Sequence, residues 1–226
     1  MSNDERRKSH EDHSVERGDT SEAERFWEDH YRQREQIWSG NPNPQLVSEA
    51  TGLTPGAALD VGCGEGADAI WLAERGWRVT AVDISAIAIQ RGAARAAELG
   101  TAVARRIDWF QGDLSRWSPG AARYDLVSAQ FLHLPKEPRE TIFRRLAAAV
   151  APRGTLLIVG HHPTDLQTIP RPLPPEIFFT AADVVALLGP HEWEIVVEAA
   201  RARPATDPTG RAVTLHDAVL RAQRRD

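Results

Sequence analysis

From Ala57 onward, short runs of apolar residues alternate with stretches in which apolar positions recur at helical spacing. The runs AALDVG, WRVTAVD, RIDWFQGD, YDLVSAQ and GTLLIVG are brief and rich in Val, Ile and Leu. That pattern suits strands buried on both faces of a parallel sheet. Between them, EGADAIWLAERG puts Ala67, Ile70 and Trp71 on one face and stops at Gly76. SAIAIQRGAARAAELG opens at Ser85, a residue that caps helices, and closes at Gly100. The alternation predicts an α/β, doubly wound, mostly parallel sheet. EWEIVVEAAR and GRAVTLHDAVLRAQ, separated by PATDPTG, read as a hairpin that gives a seven-stranded sheet its antiparallel C-terminal edge.

The flanks of this core have other patterns. Residues 1–25 hold thirteen charged residues and only Met1, Val15 and Ala23 as apolar ones. So little apolar surface cannot offset chain entropy, so residues 1–24 are expected to be a disordered tail ahead of a single domain over 25–226. ERFWEDHYRQREQIWSG has the spacing of an amphipathic helix ending near Gly40, and NPNP then predicts turn and extended geometry. HHPTDLQTIPRPLPPEIF, with five prolines, predicts a long loop over 161–179. Thr180 and Asp183 resemble the capping pair of a following helix, AADVVALLG.

Composition narrows the partners. The 226 residues suffice for one well-buried core, and a net charge of -5 gives no general attraction to nucleic acid or anionic lipid. Cys63 is the one cysteine, so no internal disulfide can form and no metal centre is expected. With no apolar run of bilayer length and no signal-like N-terminus, a cytoplasmic protein without membrane or nucleic-acid partners is expected.

The chemistry concentrates in DVGCGEG. In an open α/β sheet, ligands sit beyond the carboxyl ends of the strands, where the first strand-to-helix turn lies. Gly62, Gly64 and Gly66 allow positive φ and close approach of a ligand to the main chain. Asp83 ends the second strand at the offset where an acid meets ribose hydroxyls, so the pair predicts a nucleoside site. The spacing is G-x-G-x-G rather than the dinucleotide G-x-G-x-x-G, and Asp60 would repel a pyrophosphate there. Asp60 suits a ligand with a positive charge, such as the ammonium of an amino acid.

With these residues in hand, 57–160 resembles a class I S-adenosylmethionine-dependent methyltransferase, through LDVGCGEG, AVDIS and FQGDLS. The resemblance implies that Asp60 and the loop Gly62, Cys63, Gly64 and Gly66 hold the methionyl moiety. It further implies Asp83 on the ribose, Asp113 with Leu114 on the adenine, Ile84 against the adenine face and Gln130 near the methionyl end. The cofactor would be S-adenosyl-L-methionine, released as S-adenosyl-L-homocysteine. The reaction would move a methyl group to an O, N, S or chalcogen atom of a small molecule, with a non-catalytic regulatory binder as the alternative.

Methyl transfer from a sulfonium is a direct displacement, so a base matters only when the acceptor must lose a proton. His133, after the fourth strand, and His161 and His162, at the end of the fifth, are the candidates. FWEDHYRQREQIWSG resembles the aromatic lead-in of the thiopurine and tellurite-resistance branches, which implies a lid over 25–50 with Trp27, Tyr31 and Trp38 toward the acceptor. Phe131, Phe178 and Phe179 are further candidate lining residues. A single cysteine argues against arsenic as acceptor, and AQFLHLP lacks the motif of DNA amino-methyltransferases.

Overall fold

In a computed structural model, residues 21–168, 174–207 and 209–226 are described. Five parallel strands, β1 (Ala57–Val61), β2 (Arg78–Asp83), β3 (Ile107–Gln111), β4 (Tyr124–Gln130) and β5 (Val150–His161), form most of one sheet. β6 (Trp193–Thr206) and β7 (Ala212–Arg224) complete it, β7 running antiparallel between β5 and β6. The strand order β3-β2-β1-β4-β5-β7-β6 reverses direction between β1 and β4. The carboxyl ends of these two strands therefore open the ligand crevice of a doubly wound sheet.

Helices cover both faces. α2 (Pro44–Ala50), α3 (Ala67–Glu74) and α4 (Ala86–Glu98) supply Leu46, Ile70, Leu72 and Ala96 to one apolar layer. α6 (Lys136–Ala149) and α7 (Ala181–Val185) supply Ile142, Phe143, Leu146 and Val184 to the other, and α5 (Thr101–Ala104) is one turn before β3. Successive residues of β5 enter opposite layers: Leu156 and Ile158 one, Leu157 and Val159 the other. Alternation of side chains about a doubly covered strand is why the run reads as continuously apolar. β3 departs from the expectation, since it lies at the sheet edge and buries only Ile107.

Three boundaries differ from those expected. The lead-in helix α1 (Glu22–Arg32) starts inside the stretch assigned to the tail, because the Ser21 side chain accepts from Glu24 N and two glutamates suit the first turn. It ends at Arg32 rather than near Gly40, and residues 33–43 take up irregular backbone bonded to side chains of the core. NPNP is non-helical through an extended Asn43, as expected, but its last proline already belongs to a helix. Asn43 caps α2 and Pro44 opens it, where a missing N–H costs nothing. The capping box of Thr180 and Asp183 forms as expected, while residues 1–20 and 169–173, parts of the expected tail and loop, lie outside the described residues.

Candidate active site

The turn after β1 is held from beneath by β2. Gly62 and Cys63 both donate their N–H to the Val82 carbonyl, at 2.8 and 3.0 Å, and all three glycines of the turn have positive φ. Asp83 brackets the turn: one carboxylate oxygen accepts from Gly64 N at 2.8 Å and the other from Ser85 N at 2.9 Å. The end of β3 joins the same corner, with Gly112 N donating to Asp83 O and Gln111 Nε2 to Ile84 O. Asp60, Gly64, Asp83, Ile84, Asp113 and Leu114 thus lie along one edge of the sheet. Asp113 accepts from Ser115 N at 2.8 Å. Burial opposes its charge, but hydrogen bonds from Ser115 and Ser21 and the Arg116 cation hold its carboxyl below the usual range.

Charge is unbalanced around the turn. Asp60 and Asp83 are buried, and Asp68, in the first turn of α3, accepts from Asn43 N at 2.6 Å. Burial, then Asp68 and Asp83, push the Asp60 carboxyl well above the carboxylate range. Burial likewise raises Asp68 to about 6 and raises Asp83 against its backbone hydrogen bonds. Asp60 Oδ2 and Gln130 Oε1 are buried and find no hydrogen-bond partner among the described residues. Gln130 Nε2 is spent on Ser128 Oγ at 2.8 Å, and the β1–β4 register sets Gln130 beside the glycine turn. Two buried acceptors of this kind call for further donors, which a bound ligand can supply. Cys63 is half-buried, and burial with the Asp83 and Asp60 charges pushes its thiol up, so it stays neutral.

Across the crevice the lining is aromatic. The His133 ring stacks between Trp27 and His161, at centroid separations of 6.3 and 5.3 Å. His161 also meets Phe131 at 4.6 Å and Phe178 at 5.8 Å. Phe131 has φ of 53°, a conformation few non-glycine residues hold, and its N–H is tied to Val159 O. Tyr31 and Trp38, joined by a 2.9 Å bond from Trp38 Nε1 to the Tyr31 hydroxyl, lie over Gly64, where a Cβ would meet both within 3.1 Å. Burial, then Asp83, pushes the Tyr31 phenol up, so it is no proton acceptor near neutrality.

Two expected residues do not join this lining. His162, one position after His161, faces the other way; its Nδ1 accepts from Thr164 N and pairs with Thr164 Oγ1 in capping a 3₁₀ turn. Phe179 is a core side chain packed on Phe143 and against Gly160, where no Cβ would fit. Other residues carry no local sequence signal. Asp217, opposite His161 on β7 and 1% exposed, accepts from Arg203 Nε at 2.8 Å and Gln45 Nε2 at 3.2 Å. The Arg203 guanidinium lies 6.0 Å from the Phe131 ring. Glu65 and Arg91, which bind the lead-in, are also absent from the sequence expectation; Glu65 is marked only by standing between two of the turn's glycines.

A family model described as a methyltransferase domain matches residues 58–154. A 2-heptyl-1-hydroxyquinolin-4(1H)-one methyltransferase of Mycobacteroides abscessus is 32% identical over 126 residues, 54% of this chain and 54% of that protein. A ribosomal RNA small subunit methyltransferase C of Alcanivorax borkumensis is 37% identical over 112 residues, 47% of this chain and 33% of that protein. The chain therefore spans about half and a third of these two relatives. TehB from Haemophilus influenzae shares the fold with a TM-score of 0.67 at 22% identity, over 88% of this chain and 67% of that one. Among the described residues no helix is long and apolar enough to cross a membrane. The sheet order, the glycine turn and the matched segment agree: residues 58–154 are similar to a methyltransferase domain and sit on a sheet with the class I methyltransferase fold.

Proposed function

We propose that this protein methylates a small, partly apolar acceptor from S-adenosylmethionine. The observation that carries the reading is the pair of unpartnered buried acceptors, Asp60 Oδ2 and Gln130 Oε1, beside a glycine turn. Asp60 and Gln130 would receive the methionyl ammonium, Asp83 the ribose hydroxyls, and Ile84, Asp113 and Leu114 the adenine. An ammonium there would offset the charge that burial disfavours on Asp60. The cofactor, when bound, supplies an electrophilic methyl group on a sulfonium.

What the protein contributes is alignment and exclusion of water. Trp27, His133, His161, Phe131 and Phe178 form an aromatic wall against which a flat acceptor would stack, and the strained Phe131 backbone fixes one part of it. Where the acceptor is a hydroxyl or thiol, His133 or His161 takes its proton as the new bond forms. The quinolone relative supports starting with hydroxylated heteroaromatic acceptors, and the ribosomal RNA relative makes RNA a necessary comparison.

The test has two stages. Calorimetric titration with S-adenosylmethionine, S-adenosylhomocysteine and NAD is expected to show binding of the first two alone; NAD alone, or nothing, overturns the cofactor assignment. Mass spectrometry then follows methylation across hydroxyheteroaromatics, phenols, thiols, amines, carboxylates and ribosomal RNA. Methylation of RNA alone refutes the small-molecule acceptor. Cofactor binding without turnover on any of them favours a regulatory binder.

A further inference from the structure

The irregular backbone after α1 carries N–H and C=O groups that no helix or strand pairs, and such groups need partners wherever they are covered. The core supplies them from charged side chains. Glu65, 8% exposed within the glycine turn, accepts from Ile37 N at 3.3 Å and Trp38 N at 3.2 Å. Arg91 on α4 completes the arrangement, pairing with Glu65 at 2.9 Å and donating to the carbonyls of Tyr31 at 2.9 Å and Arg34 at 2.7 Å. A carboxylate takes the amides of the lead-in and a guanidinium takes its carbonyls. The ion pair lets both charges be covered, since either alone would be costly to bury.

This clamp is not part of the nucleoside contacts, yet it grows from the same turn. Glu65 is flanked by Gly64 and Gly66, and the residues it holds bring Tyr31 and Trp38 over Gly64. We infer that Glu65 is a positioning residue that builds the acceptor wall onto the cofactor turn, so that a filled and ordered turn tightens the lead-in and the acceptor site forms after cofactor binding. The coupling rests on the cofactor reading above; the clamp itself rests only on the hydrogen bonds. No covalent step is involved.

Trypsin reports on the clamp directly, because Arg34 is exposed and the carbonyl of its scissile bond is the one Arg91 holds. Cleavage after Arg34 is followed in the wild type, Glu65→Gln and Arg91→Met, with and without saturating S-adenosylhomocysteine, alongside calorimetry and a thermal melt. We expect the ligand to slow wild-type cleavage several-fold. Both variants should be cut about tenfold faster, as local opening becomes easier, with ligand affinity within about threefold of wild type and with the ligand's protection lost. Cleavage of both variants at the wild-type rate overturns the clamp. Wild-type binding of S-adenosylhomocysteine with no change in cleavage overturns the coupling while leaving the cofactor reading intact; no binding at all defeats the cofactor reading, and the ligand-free rates still decide the clamp. If Glu65→Gln does not fold, the cleavage rate of Arg91→Met, which keeps the turn and its carboxylate, decides the clamp instead.

Discussion

The two sides of the crevice are built differently. The glycine-turn side, proposed to take the nucleoside, comes chiefly from one continuous stretch, 58–85, where backbone amides of the turn bond to Asp83 and Val82 across a single strand pair. The aromatic side gathers Trp27, Phe131, His133, His161 and Phe178 from four separate segments, with Arg203 behind them. One side is polar and carries buried acids; the other is aromatic, and the lead-in touches both. A cofactor common to many reactions can be met by a local motif, whereas an acceptor is met by whatever the fold brings together.

The largest effect that would test this contrast is Asp83→Ala. Two backbone donors lose a charged acceptor, at roughly 1.5–3 kcal/mol each, so S-adenosylhomocysteine affinity should fall about 100-fold or more. Unchanged affinity in titration would remove Asp83 from the site. Asp60→Asn should weaken S-adenosylmethionine binding by about tenfold, yet raise the ligand-free melting temperature by about 3 °C, since a buried unpaired charge is relieved. A fall in both quantities would mean that Asp60 serves the fold instead.

On the aromatic side, Gln in place of His161 or His133 should lower turnover of a hydroxyl acceptor by about tenfold or more while ligand affinity stays within about twofold. If the residue is the base, the deficit closes above the acceptor's own pKa; a deficit constant with pH would indicate alignment alone.

The acids of the turn also predict a pH dependence. Asp68 is raised to about 6, and Asp60 and Asp83 are raised too, so the folded protein holds more protons than the unfolded chain above its ordinary carboxyl range. Unfolding free energy from these groups then falls as pH rises from about 4 to 6. Thermal melts at about pH 5, within that window, and about pH 7.5, above it, should show the ligand-free protein less stable at the higher pH, and S-adenosylmethionine should flatten the difference. A ligand-free protein more stable at the higher pH would contradict the burial of these charges. The smallest expected effect is that of His162→Ala, within about twofold in turnover, since its ring caps a turn instead of joining the aromatic wall; a large loss would return His162 to the chemistry.

How much of this is legible in the sequence follows from distance along the chain. The strands, the glycine turn, Asp60, Asp83, Ser85 as a cap and the Thr180–Asp183 box are all readable because each depends on neighbours within a turn or one strand-helix unit. The boundary of α1 is not, because its end is fixed by Glu65 and Arg91 rather than by its own spacing. His161 and His162 look equivalent in sequence, and only the alternation of β5, with its last residue turned toward Phe131, separates them.

The sequence by itself therefore determined the fold class and the glycine turn, where periodicity, turn chemistry and two buried acids, Asp60 and Asp83, act locally. The tertiary structure alone decided which histidines join the aromatic wall, which phenylalanine is core, how β3 lies at an edge, and that Glu65 carries the lead-in. Those outcomes depend on pairings between residues 28 to more than 150 positions apart, such as Glu65 with Ile37 and Asp217 with Gln45. Contacts at that range are set by packing and register, which no local pattern of apolar and polar positions encodes.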